Sequence, residues 1–172
     1  MRTLEEALEK FDLVQSSAGD GERTACETSL LNWVSGEDTW SDAFSCASPL
    51  IRSLMIGHND DPETTKEQRV EAVKLGMAGA IDTWWIPEAV VLSYYGDFKR
   101  EETPTRHERL VKMLTGVAAW KENKVRPNLI RANLDGARNL GSTLYLNKAS
   151  GEPASLPDGW EFKNGLIVKK AS

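Results

Sequence analysis

Thr65-Lys66-Glu67-Gln68-Arg69-Val70-Glu71-Ala72-Val73-Lys74-Leu75-Gly76-Met77-Ala78-Gly79-Ala80-Ile81-Asp82-Thr83-Trp84-Trp85-Ile86 is the stretch that decides the fold class. Val70, Val73, Met77, Ile81 and the Trp84/Trp85 pair recur at helical spacing, so residues 65–86 predict one long helix, broken by Pro87. Gly76 and Gly79 each weaken such a helix by about 1 kcal/mol relative to alanine, which predicts a neighbour packed close against them. Upstream, Ser48-Pro49 places a capping residue before a first-turn proline, and Leu50, Ile51, Leu54 and Met55 form the stripe of a helix stopped by Asn59-Asp60-Asp61-Pro62.

Working further outward, three capping boxes mark helix starts. Thr3-Leu4-Glu5-Glu6 opens a helix carrying Leu4, Leu8, Phe11 and Val14, expected to reach about Gln15. Ser16 to Gly21 reads as a break. Thr24-Ala25-Cys26-Glu27 opens a second helix, with Cys26, Leu30, Trp33 and Val34 inward and Gly36 as a left-handed end. Thr105-Arg106-His107-Glu108 precedes Leu110, Leu114, Val117 and Ala118, and the apolar run Glu88 to Tyr95 reads as a central helix. The expected fold is therefore mainly α: about six helices over residues 1–121, with a short β-rich extension over 122–172 docked on them. In that extension the helical stripe vanishes. Leu156-Pro157-Asp158-Gly159-Trp160 reads as a turn, and Asn164-Gly165 before Leu166-Ile167-Val168 as a hairpin. Leu134, Leu144, Leu156 and Trp160 are its expected inward anchors.

Composition narrows the function classes. The chain has 172 residues, 40% hydrophobic and 27% charged, which suits one domain able to bury a core without a staple. Its net charge of −5 disfavours phosphate-driven nucleic-acid binding. The charge is uneven: residues 1–123 hold 13 Lys and Arg against 22 Asp and Glu, and residues 124–172 hold 8 against 4. Coulomb attraction then favours a basic tail lying beside an acidic body. No apolar run approaches the roughly 18 residues of a membrane span, and no apolar signal core follows Met1, so a cytoplasmic protein with reduced Cys26 and Cys46 is expected.

Two stretches resemble known families. Ala132-Asn133-Leu134-Asp135-Gly136-Ala137 resembles one rung of a pentapeptide-repeat protein, and Leu129, Leu134 and Leu144 keep that spacing in fives while skipping Asn139. Ala154 to Trp160 and Asn164 to Val168 look like the strand cap that closes some such coils in bacterial and phage proteins. Within residues 22–86, Cys26, Trp33, Gly36-Glu37, Trp40-Ser41-Asp42, Cys46, Ser48-Pro49, Asn59-Asp60 and Trp84-Trp85 resemble an uncharacterised helical domain of bacteria and their phages. That resemblance implies a bacterial or phage origin and the domain boundary, and carries no activity.

Chemistry-bearing motifs are sparse. Cys26, His58 and Asp60 have the residue types of a thiolate–imidazole–carboxylate relay, but Cys26 falls on an apolar stripe and reads as core. Cys26, Cys46, His58 and Asp60 lack the paired spacing of a zinc site, Asp60-Asp61-Pro62-Glu63 lacks a calcium loop's central glycine, and Gly19-Asp20-Gly21 is no phosphate loop. His107 reads as a solvated first-turn residue. No metal and no cofactor are expected. Aromatics are the unusual feature, with six Trp against three Tyr. Adjacent indoles cannot share one helix face, and no stripe accounts for Trp40. Trp40, Asp42, Trp84, Trp85, Tyr94 and Tyr95 are therefore the candidate binding surface. The leading expectation is a non-catalytic accessory protein of a bacterium or phage that binds another protein. The alternatives are a small-molecule binder with a pocket floored by Trp33, Trp40 and Trp85, an enzyme using Cys26 and His58, and a gyrase-binding pentapeptide DNA mimic. The last needs a long acidic coil, and this tail is short and basic.

Overall fold

The computed structural model describes residues 2–15, 19–37, 40–41, 44–96, 99, 101–123, 155–163 and 166–170. Among them are six helices: α1 (Leu4–Lys10), α2 (Glu27–Ser35), α3 (Pro49–Asn59), α4 (Lys66–Gly79), α5 (Glu88–Tyr95) and α6 (Arg106–Asn123). Two small sheets accompany them. Strands β1 (Asp12–Leu13) and β2 (Thr24–Ala25) pair in parallel, and β3 (Trp160–Lys163) and β4 (Leu166–Lys169) pair antiparallel, with Trp160 opposite Lys169 and Lys163 opposite Leu166. The fold is mainly α.

Local chemistry sets the helix starts. Thr3 and Glu6 form the expected reciprocal capping box, as do Thr105 and Glu108. Pro49 occupies the first turn of α3, where its missing N–H is not needed, although Ser48 makes no side-chain cap. Thr65 caps α4 through a box with Gln68.

Three expectations are corrected. The first helix stops at Lys10 rather than near Gln15, because Phe11 is extended (φ −117°, ψ 133°) and the chain enters β1. The second helix starts from Cys26, not Thr24. Cys26 Sγ accepts from the Ser29 amide while Ser29 Oγ accepts from the Cys26 amide, and Thr24 lies in β2. The Asp20 carboxylate organises the approach to β2: it accepts from the amides of Glu22, Arg23 and Thr24, which hold it well below the usual carboxylate range.

The third correction concerns residues 65–86. Helix α4 ends at Gly79, well before Pro87, and Asp82 takes a left-handed conformation (φ 55°). Its terminal carbonyls have other partners. Lys121 Nζ, from α6, donates to Ala78 O at 3.0 Å and to Ile81 O at 2.6 Å. Thr83 N and Trp84 N donate to Cys46 O, and Thr83 Oγ1 accepts from Ser48 N. These bonds satisfy the chain end from other parts of the fold, so it leaves the helix axis.

The core gathers Leu30, Leu31, Ile51, Met55, Val73, Ile86, Val90, Leu110, Met113, Leu114, Val117 and Trp120, all at most 1% exposed. The close approach expected at the glycines is present. A Cβ on Gly79 would strike the backbone of Leu114 in α6, and a Cβ on Gly116 would strike the Tyr94 ring of α5. These contacts set α6 directly on α4 and α5. Leu134 and Leu144, the pentapeptide-like rung and the Asn164-Gly165 turn lie outside the described residues; Leu156 and Trp160 are half-buried.

Candidate functional site

The helix ends converge on four side chains. Glu27 stands in the first turn of α2, its amide donating to Asn59 Oδ1 at 3.3 Å. His58 is in the last turn of α3, Glu71 is on α4, and His107 is in the first turn of α6. They form one chain of hydrogen bonds. Glu27 Oε1 lies 2.7 Å from His58 Nδ1, His58 Nε2 lies 3.0 Å from His107 Nδ1, and His107 Nε2 lies 3.1 Å from Glu71 Oε2. The two imidazoles stack at 5.2 Å between centroids. The chain runs from the interior outward: the side chains of Glu27 and His58 are 0% exposed, while that of Glu71 is 54% exposed.

Burial dominates its electrostatics. Desolvation raises the Glu27 carboxyl above its ordinary value, against the opposing pull of His58 and Arg69. Arg69 is itself buried, and its guanidinium donates to the carbonyls of Asn59 and Thr64, at 3.0 and 2.7 Å. Among the described residues Glu27 Oε2, which is buried, has no hydrogen-bond partner. His107 is thus not the solvated residue expected from its first-turn position; it is the link between a buried acid and the surface.

The outer half of this chain opens on a groove of about 570 Å³, lined by Tyr94 of α5, Glu71 of α4, and His107, Glu108, Val111, Lys112, Thr115 and Gly116 of α6. The groove combines apolar lining with a few convergent polar groups, the usual character of a binding site. The Thr105 amide holds Glu108 below the ordinary carboxylate value.

Of the candidate aromatic surface, only Tyr94 lines this groove. Trp40 is half-buried, its ring 4.9 Å from Phe11, which also meets Trp33 at 5.3 Å. Trp85 is half-buried against Trp120 at 5.6 Å, and the Arg109 guanidinium lies 5.9 Å from the ring of Tyr95. Trp84 projects outward, 63% exposed. Asp42 lies outside the described residues. Trp33 and Trp40 thus gather on Phe11, whereas Trp85 has a different aromatic neighbour.

The other candidate groups are placed as follows. Cys26 Sγ bonds within its own capping turn, to Thr28 and Ser29, whereas His58 bonds to Glu27 and His107. Both cysteines are free thiols. Among the described residues no group of three or more His, Cys, Asp or Glu is arranged to hold a metal ion, and no helix is long and apolar enough to cross a membrane. Glu27 stands out in the sequence only as a member of a capping box, and Glu71 only as part of a long helix. The available signal was that the chain has only two histidines, both in terminal turns of helices. Comparison of the chain with protein-family models, curated proteins and solved structures finds no match.

Proposed function

We propose that this chain is a non-catalytic accessory protein of a bacterium or phage that acts in the cytoplasm by binding another protein, and that the groove of α4, α5 and α6 receives it. The bacterial or phage origin rests on the likeness of residues 22–86 to an uncharacterised helical domain. The observation that carries binding over catalysis is the state of His107. It is the imidazole beside the groove, and both its nitrogens are engaged, one by His58 and one by Glu71. In this arrangement neither nitrogen is aimed at an occupant of the groove, as that of a general base would be. Tyr94 and Val111 then supply the apolar and aromatic contact area on which protein interfaces depend.

The test is the full-length tagged protein and its Val111→Asp variant, each isolated from the native host. A stoichiometric protein partner held by the parent and lost from the variant supports the reading; a partner held equally by both refutes the groove as its seat. A small molecule is the second reading, favoured by the groove's volume, which lies within the roughly 300–1,000 Å³ of ligand sites. A metabolite that co-purifies with the parent and not with the variant would select it.

A further inference from the structure

The relay contains more hydrogen bonds than its ordinary protons can supply. Its three contacts, Glu27–His58, His58–His107 and His107–Glu71, each need one hydrogen. Two neutral imidazoles and two carboxylates hold only two. A third proton is required, and it can sit on an imidazole or on a carboxyl.

Three observations favour Glu27. Among the described residues its buried Oε2 has no partner, which is far less costly for the carbonyl oxygen of a neutral acid than for half of a carboxylate. His58 is fully buried beside it, so an ionised Glu27–His58 pair would desolvate two charges at once. His107 stands in the first turn of the 18-residue α6, where the helix dipole disfavours a cation. Against these, His58 lies in the last turn of α3 and Glu27 in the first turn of α2, dipole positions that favour the ion pair.

The surrounding charges are divided. Arg69 of α4 faces Glu27, with its guanidinium spent on backbone carbonyls, and Asp60 beyond α3 acts in the opposite sense. Around His107 lie Glu71 of α4, Arg106, Glu108 and Lys112 of α6, and Asp61 and Glu63 of the α3–α4 connection.

We propose that Glu27 is a neutral acid at the buried end of a proton-switched latch, and that losing its proton breaks the hydrogen bond at the opposite, groove end. In the protonated state Glu27 O–H donates to His58 Nδ1, His58 Nε2–H donates to His107 Nδ1, and His107 Nε2–H donates to ionised Glu71. When the proton leaves, His58 turns its hydrogen to Nδ1 to serve the Glu27 carboxylate, and His107 moves its hydrogen to Nδ1 to serve His58. His107 Nε2 is then a bare lone pair facing the Glu71 carboxylate, so that contact opens. The break falls there because Glu71 is the member that water can reach. A change of protonation inside the core is thereby delivered to the tie between α4 and α6. It does not depend on what the groove receives.

The sign follows from linkage. Burial holds the Glu27 carboxyl above its unfolded value, so the folded chain binds this proton more tightly than the unfolded chain. The stabilisation is complete below the unfolded value and is lost as pH rises through the folded one.

The chain has only these two histidines, so the ring nitrogens of the full-length protein report the relay alone. Nitrogen-15 NMR across a pH series is expected to show both rings as neutral Nε2–H tautomers, which convert together to Nδ1–H as pH rises. Glu27→Gln, whose amide can donate to His58 without titrating, should keep the Nε2–H pattern throughout and remove this part of the pH dependence of Tm. Glu71→Gln, whose amide can donate to His107 Nε2, should move the conversion to lower pH. An imidazolium His58 at the pH where the latch is closed would overturn the proposal, as would tautomers that convert independently. If Glu27→Gln fails to fold, the parent spectrum and Glu71→Gln still decide the matter: an unmoved midpoint in Glu71→Gln refutes the coupling.

Discussion

Helices α4 and α6 are joined at two places by opposite chemistry. Toward one end, Glu71 meets His107 through a hydrogen bond that depends on a proton held in the core. Toward the other, Gly79 lets the backbone of Leu114 come into contact, and Lys121 bonds Ala78 O at the end of α4 and Ile81 O just beyond it. The second junction is a matter of volume and is indifferent to pH over the range where Glu27 titrates. The first is a matter of proton number and buries polar groups that are costly to leave unmatched. One helix pair thus has a fixed joint and a titratable one.

Replacing Gly79 should break the fixed joint and have the largest effect. Gly79→Val puts side-chain atoms where the Leu114 backbone lies, so the helices must separate. A loss of about 3 kcal/mol or more is expected, with a Tm drop of roughly 2–4 °C per kcal/mol. Denaturant melts of parent and variant at acid and neutral pH check it. The loss should be equal at the two, and a variant as stable as the parent would show that α6 does not rest on this contact.

Removing His58 should break the titratable joint at a cost of about 2 kcal/mol, because a buried carboxyl loses its partner. His58→Ala differs from Gly79→Val in its pH profile. Without His58 to accept from the acid or donate to the carboxylate, ionising Glu27 is harder still, so the deficit should widen as pH rises. The same melts decide it: a deficit that narrows with pH would mean that Glu27 ionises more readily without His58 than with it, and His58 would not be its partner in the relay.

Those two joints were not equally legible in the sequence. Gly76 and Gly79 announced a close neighbour because glycine inside a helix costs stability without one. Capping boxes placed Thr3 and Thr105, and the apolar stripe placed Leu110, Leu114 and Val117, since these signals are local. The end of α4 was misread because its terminators are distant: Lys121, Cys46 and Ser48 act from other parts of the chain, and Pro87 alone was visible nearby. The relay escaped for the same reason, its members being separated by 31, 49 and 36 positions. Cys26 did appear as a buried residue, but its thiol as a helix cap did not, because cysteine is not among the usual N-cap residues.

Lys121 offers a smaller test of the fixed joint. Lys121→Met keeps the apolar stem and removes the ammonium that bonds Ala78 O and Ile81 O, so about 1 kcal/mol should be lost. Partial burial lowers the pKa of this ammonium from its ordinary value. The folded chain thus holds this proton less tightly than the unfolded chain, so the parent should gain stability relative to the variant as pH rises through the folded value into strongly alkaline solution.

Trp84 carries the smallest expected effect on stability and the clearest contrast with its neighbour. It follows the fixed joint in the turn after α4, where its amide donates to Cys46 O, but its side chain is 63% exposed. Trp85 instead packs on Trp120, itself 1% exposed. Trp84→Ala leaves the backbone bond intact and removes a side chain with little buried area, so the melt should shift by no more than about 0.5 kcal/mol. Trp85→Ala should cost several times more, as it opens a space against a core indole. If Trp84→Ala is as damaging as Trp85→Ala, the exposed indole has a structural neighbour, and its place on the candidate binding surface falls. If it is silent in melting and lowers affinity for a partner, Trp84 extends the receiving surface beyond the groove.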